Sequence, residues 1–223
     1  MSSACTKTFI VEHLDEELGP WSELEYLAIA QESHDAGAKF FLSSLAPKFK
    51  VPAALKAIPS FTPEVRSVEE IYANDKARVC LLDPAAKKDL SPEDGEIFDV
   101  FLFGGILGDD PPRDRTSELR KKGYEGRRLG PIQMTTDTAV RVTRMVVHDK
   151  SLSFHSRFSF YASLIKPLPV PLLEVPTVDF PELRFNEHEC TEMPFRYVTD
   201  KDCKPIMPKV TSVQPLHQLL APD

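Results

Sequence analysis

The apolar run Phe101-Leu102-Phe103 passes directly into Gly104-Gly105-Ile106-Leu107-Gly108. A charged turn follows, Asp109-Asp110-Pro111-Pro112-Arg113-Asp114-Arg115-Thr116. No other stretch constrains the fold as strongly. Glycine reaches positive φ without penalty and lets a ligand approach the backbone, whereas charge beside a buried strand end costs free energy unless it is put to use. The pattern predicts a small-molecule site at the C-terminal edge of a parallel sheet, where the loops of α/β folds collect ligands.

The surrounding sequence supplies the other layers. Strand patterns alternate with helical ones, which predicts an α/β fold with a mostly parallel sheet flanked by helices. Strands are expected over residues 8–13, 39–45, 77–82 and 96–103. Residues 125–129 read as either a short strand or an extended segment. Helices are expected over residues 22–34, 64–74, 116–122 and 135–148. The first has Ser22 as cap with Glu25 completing a capping box, and the last carries Ala139, Val142, Met145 and Val146 on its inner face. Residues 151–181 break the regularity, because Pro167, Pro169, Pro171 and Pro176 interrupt any long element. Residues 191–198 look ordered again.

At 223 residues and 42% hydrophobic content, the chain suffices for one sizeable core, with roughly 150 residues per domain as the usual scale. Residues 1–7 are read as a flexible N-terminus, 8–200 as one domain and 201–223 as a tail. There is no apolar run near the ~20 residues of a membrane helix and no basic-then-apolar leader, so a soluble, cytoplasmic protein without membrane association is expected. Cys5, Cys80, Cys190 and Cys203 show no paired spacing, and the histidines lack ligand spacing, so neither a disulfide framework nor a metal site is expected. The net charge of −7 argues against a large nucleic-acid footprint and for a basic partner.

Several longer motifs carry a family resemblance. They are Cys80-Leu81-Leu82-Asp83-Pro84, Phe103-Gly104-Gly105-Ile106-Leu107-Gly108-Asp109, Pro111 to Thr116, Arg127-Arg128-Leu129-Gly130, Gln133 to Ala139 and Met193-Pro194-Phe195-Arg196-Tyr197. In order and wording they resemble the SPOUT-type S-adenosylmethionine-dependent methyltransferases. Within these they look like the fungal branch that methylates arginine in a small-subunit ribosomal protein. The match spans residues 12 to about 198. Residues 151–176 depart from the pattern as a probable insertion.

The resemblance implies a C-terminal trefoil knot and a bent S-adenosyl-L-methionine held between three knot loops. Its cofactor-binding set here is Leu82, Asp83, Phe103, Gly104, Gly105, Ile106, Gly108, Leu129, Gly130, Gln133, Met134 and Thr136. Leu82, Leu129 and Met134 would sandwich the adenine. Acidic and aromatic residues suit a guanidinium, through paired carboxylates and an indole face, so Trp21, Glu25 and Asp109 are assigned to the substrate. Asp15, Glu16 and Glu17 stand nearby. Arginine's pKa lies above ~12, so a carboxylate must orient the attacking nitrogen and take its proton as the bond forms. Glu12 and Asp110 are the first candidates, with Asp114 in support, and no metal takes part. The implied branch is monomeric. The competing readings are a SPOUT-type RNA methyltransferase, using Lys121, Lys122, Arg127 and Arg128 on phosphates, and a non-enzymatic adaptor that retains the fold.

Overall fold

The computed structural model describes residues 6–13, 15, 17–104, 116–148, 172–184 and 190–208. Six strands form one parallel sheet: β1 (Thr8–Glu12), β2 (Lys39–Ser43), β3 (Phe61–Pro63), β4 (Val79–Leu82), β5 (Val100–Gly104) and β6 (Glu125–Arg127). Their order is β3-β2-β1-β5-β4-β6, so the chain leaves the centre at β1, fills one edge, and returns to build the other. The parallel α/β expectation is therefore met.

Alternation along the central strands divides the interior into two layers. Phe9, Val11, Cys80, Leu82, Phe101 and Phe103 face a large cluster shared with Tyr26, Ile29, Val142 and Val146. Ile10, Val79, Leu81, Val100 and Leu102 face a smaller one with Val68, Leu119 and Tyr124. These strands read as continuous apolar runs because helices cover both faces. The first layer is closed by α1 (Pro20–Asp35) and α6 (Thr136–Val147), which pack on each other. The second is closed by the short α3 (Val68–Ile71) and α5 (Thr116–Lys121). Two more single-turn helices, α2 (Ala53–Lys56) and α4 (Asp94–Ile97), precede β3 and β5.

Several local expectations shift. Helix α1 starts at Pro20 with Gly19 as its uncapped N-cap, and Ser22 is buried inside it, because proline at the first position presets the helical φ. The capping box occurs instead at α3, where Ser67 and Glu70 satisfy each other's backbone N–H groups. The helix expected over 64–74 shrinks to α3 because residues 64–66 continue the edge strand's pairing, with Glu64 N–H on the Leu42 carbonyl (2.9 Å) and Ser44 N–H on the Arg66 carbonyl (3.1 Å). Glu96 lies in α4 rather than β5. Thr135 occupies the N-cap of α6, yet its hydroxyl serves Asp137 and Thr138 rather than a backbone amide.

Beyond α6, β7 (Thr177–Asp179) pairs antiparallel with β10 (Arg196–Val198), and β8 (Glu182–Arg184) with β9 (Cys190–Glu192). Met193, Phe195 and Tyr197 make a small third core with Val178, Leu183 and Met207. The ends of the domain are wider than the sequence suggests. Lys7 is buried, with its ammonium donating to the carbonyls of Gly95 (2.5 Å) and Phe98 (2.9 Å). At the other end, residues 201–208 continue the fold, with Ile206 N–H on the Val198 carbonyl at 2.7 Å. Among the described residues, no helix is long and apolar enough to cross a membrane.

Close packing of α4 on α6 rests on Gly95, where an added Cβ would lie 2.6 Å from the Val147 carbonyl oxygen. That atom is backbone and cannot swing aside. Gly95→Ala is expected to destabilise the protein by about 1–3 kcal/mol, read from its urea midpoint. An unchanged midpoint would mean that this contact relaxes freely.

Candidate active site

Leu82 stands opposite Phe103 on one side and Arg127 on the other. The segments leaving β4, β5 and β6 therefore emerge at one level and enclose a cleft of about 150 Å³. That volume in an apolar cavity admits a flat aromatic ring. Leu82, Asp83 and Pro84 line it from β4, Phe103 and Gly104 from β5, and Leu129 to Met134 from the segment after β6. Thr136 and Ala139 on the first turn of α6 close it, with Thr116 at the start of α5.

Nine of the residues assigned to the cofactor thus meet in one place: Leu82, Asp83, Phe103, Gly104, Leu129, Gly130, Gln133, Met134 and Thr136. Gly105, Ile106 and Gly108 lie outside the described residues, as do Asp109, Asp110 and Asp114. Pro84, Thr116, Pro131, Ile132 and Ala139 join the lining without an assigned role. For Ala139 the only sequence signal is a small residue one turn after Thr136. Gly130 has φ +86°, a conformation that side-chain-bearing residues rarely adopt, so the turn over the cleft requires glycine.

The cleft is mainly apolar, but one group in it is unsatisfied. The Gln133 Nε2 is shielded from solvent without a hydrogen-bond partner. A buried donor in that state costs roughly 1–3 kcal/mol unless a ligand accepts from it. A flat heteroaromatic with acceptor edges, sandwiched by Leu82, Leu129 and Met134, meets both requirements.

Asp83 lines the cleft as expected, yet its carboxylate is spent on protein. Arg120 donates through Nε (2.5 Å) and Nη2 (2.7 Å), the Ala85 N–H donates at 2.9 Å, and the Thr116 hydroxyl at 3.3 Å. Burial alone would raise the pKa of Asp83, but these donors outweigh it and hold the carboxyl below its ordinary range. Asp83 is thus a strut between the β4 loop and the start of α5.

The residues assigned to catalysis and substrate on the first strand and helix are also engaged elsewhere. Glu12 pairs in register with Gly104, but its side chain is buried away from the cleft lining. There it accepts from the hydroxyls of Ser43 (2.6 Å) and Ser44 (2.7 Å) and from the Val68 N–H (3.1 Å). With these donors in place Glu12 stitches β1 to β2 and α3, and a catalytic role for it is not supported. Trp21 is 7% exposed and donates from Nε1 to Glu25 at 3.1 Å. Glu25 has no exposed surface. Asp15 is half-buried and Glu17 exposed, while Glu16 lies outside the described residues.

Glu25 belongs to a buried polar group where α1 meets α6. Its Oε2 and the Tyr197 hydroxyl lack hydrogen-bond partners, and Asp137 accepts from Thr135 at 2.6 Å. Arg141 reaches Asp137 at 3.4 Å and Glu32 at 2.6 Å. Burial, then the Asp137 charge, raises the Glu25 pKa well above 4.5, against the opposing Trp21 donor and Arg141 charge. Burial also raises Asp137, against Arg141, and pushes Tyr197 upward. The Cys80 thiol is pushed up to about 12 by burial, which makes it unreactive.

The arginines that an RNA-binding reading would need are committed to carboxylates. Arg127 is buried, with Nε on Asp94 at 2.9 Å and Nη1 on Glu125 at 2.8 Å, and Arg128 is bound to Asp89 at 2.6 Å. Lys122 pairs with Glu69 at 3.0 Å, while Lys121 is exposed. Among the described residues, no group of three or more His, Cys, Asp and Glu is arranged to hold a metal ion.

A parallel sheet with a ligand-sized cleft over the C-terminal ends of β4 and β5 defines an α/β fold of the kind that collects ligands at its strand ends. Residues 8–216 match the model of the SFM1-like family, described as protein arginine N-methyltransferase SFM1-like. The chain belongs to that family, and it is a methyltransferase of the protein-arginine class. It is 40% identical to protein arginine N-methyltransferase SFM1 of Saccharomyces cerevisiae, over 95% of this chain and 99% of the yeast protein. The crystal structure of yeast SFM1 complexed with SAM superposes with a TM-score of 0.75 at 39% identity, covering 91% of this chain and 87% of that one. The complex with SAH gives 0.74 at 40% identity, covering 90% and 91%.

The polar group behind the cleft yields a pH prediction. The folded pKa of Glu25 lies above its unfolded value near 4.5. Its contribution to stability is fully present below that unfolded value and is lost as pH rises through the folded pKa. Glu25→Gln cannot ionise, so its stability relative to wild type should grow between about pH 5 and pH 8 in urea titrations. A constant difference across that range would show that Glu25 is ionised in the folded protein.

Proposed function

We propose that the chain transfers a methyl group from S-adenosyl-L-methionine to an arginine of a small-subunit ribosomal protein. The observation that carries the donor half is the cleft itself, which gathers nine assigned residues around the unsatisfied Gln133 amide. Leu82, Leu129 and Met134 would hold the adenine faces and Gln133 its polar edge, with backbone groups of Gly104 and Gly130 nearby. When bound, S-adenosyl-L-methionine supplies an electrophilic sulfonium methyl group.

The rest of the chemistry is positioning by the chain. A guanidinium cannot be deprotonated in advance, so a carboxylate has to fix its plane and accept the proton as the new C–N bond forms. With Glu12 caged by Ser43, Ser44 and Val68, and Glu25 buried on Trp21, the candidates are Asp110 and Asp114, with Asp109 beside them for binding. Their segment leaves β5 at Gly104, at the edge of the cleft. Trp21 and Glu25 act at most from behind the site.

The net charge of −7 fits a basic ribosomal protein better than RNA, and Arg127, Arg128 and Lys122 already carry carboxylate partners. The same reading includes the trefoil knot, a monomer and a cytoplasmic location. Its catalytic domain comprises residues 8–200 with Lys7 and residues 201–208 packed onto it, and 151–176 are its insertion.

The test is transfer of labelled methyl groups to purified small ribosomal subunits, followed by protease or RNase digestion. Protease-sensitive label on arginine is expected, reduced about 100-fold or more in Asp110→Ala, the usual scale for losing a proton acceptor. RNase-sensitive label would reassign the substrate to RNA.

A further inference from the structure

We propose that Arg196, on the C-terminal strand β10, is a positioning residue for the methyl donor, acting through the 129–134 segment. The inference rests on the reading that the cleft binds S-adenosyl-L-methionine. Arg196 is not part of the cleft lining, yet its backbone is tied to that segment. Its N–H donates to the Gln133 carbonyl at 2.9 Å, within a parallel bridge to Met134. Its side chain lies behind Gly130, where an added Cβ would be 3.7 Å from Nη1.

The guanidinium is itself held in place. Asp179 stands directly opposite on β7 and accepts from Nε (2.5 Å) and Nη2 (2.9 Å), a bidentate pair fixed by strand register. The fork geometry requires arginine, since a lysine ammonium supplies a point charge on a flexible stem. The pair is partly exposed, with side-chain accessibilities of 21% for Arg196 and 38% for Asp179, so it is a weak source of global stability. Its effect falls on the turn it supports. Gly130 at φ +86° and the unsatisfied Gln133 amide both belong to that turn, and both must keep their place for a ring to fit between Leu129, Met134 and Leu82.

A segment displaced by about 1 Å loses a large factor in ligand positioning. Arg196→Ala is therefore expected to raise the dissociation constant for S-adenosylhomocysteine, measured by calorimetry on the full chain, by about tenfold. The KM for the donor should rise in parallel, with kcat at saturating donor close to wild type. Arg196→Lys should fall between the two, and the exchanged pair Asp179→Arg/Arg196→Asp should recover much of the affinity. A lowered kcat or melting temperature with unchanged donor affinity in Arg196→Ala and Arg196→Lys would overturn the proposal.

Ala139→Trp, which fills the cleft, separates this idea from the one it rests on. If Ala139→Trp abolishes donor binding while both Arg196 variants bind normally, the cleft assignment stands and the Arg196 role falls. If Ala139→Trp binds donor as wild type does, the cleft assignment fails and the Arg196 role falls with it.

Discussion

The pairing of β4 between β5 and β6 is the constraint on which the rest of the site depends. Leu82 opposite Phe103 and Arg127 brings three chain segments out of the sheet at one height, and the cleft is the space they leave. A slip of one residue would turn Leu82 to the other layer and put Leu81 in the cleft. What resists the slip is burial on both faces. Cys80 and Leu82 are committed to the α1/α6 core, and Val79 and Leu81 to the α3/α5 core. The apolar interior thus sets the geometry of a site whose polar groups could not set it themselves.

Among the described residues, three ion pairs hold the walls of the cleft. Asp83 with Arg120 ties the β4 loop to α5, Arg127 with Asp94 ties β6 to α4, and Arg196 with Asp179 backs the segment after β6. Of these only Arg127 with Asp94 is buried on both sides, a kind of pair that stabilises little against an apolar replacement but is costly to half-remove, and each of the three restricts which loop arrangements survive. Glu25 and Asp137 differ. They are buried where α1 meets α6, and their raised pKa values mark a region where charge is disfavoured. Trp21 is almost wholly buried there and Glu25 entirely so, despite a composition that suits a guanidinium.

The sequence made the cleft legible and the roles of the carboxylates largely illegible, for a physical reason. Strand-end residues such as Leu82, Phe103 and Gly104 have positions set by a period-two pattern and by local glycine chemistry, both visible in a single chain. Carboxylates carry no such periodicity. Glu12 closes a strand in sequence, but only the fold shows Ser43, Ser44 and the Val68 amide converging on it from 31 to 56 residues away. Asp83 reads as a cofactor ligand until Arg120 is seen on its carboxylate from 37 residues away. The capping box is a similar case: the spacing at Ser22 and Glu25 satisfies the rule, yet Pro20 starts the helix earlier and the working box is at Ser67 and Glu70.

These facts together assign different duties to the two halves of the proposed site. The donor half is formed by strand ends and by α6, whose places are fixed by the core. The acceptor half is left to Asp109, Asp110 and Asp114, which lie in the sequence between two anchored points. One anchor is Gly104, paired with Glu12 in the sheet, and the other is Thr116, buried and bonded to Asp83. Glu12 and Asp83 each hold one anchor, Glu12 by stitching β1 to its neighbours beside Gly104 and Asp83 by accepting from Thr116. A guanidinium that must be oriented before it can lose a proton needs carboxylates whose support does not drift.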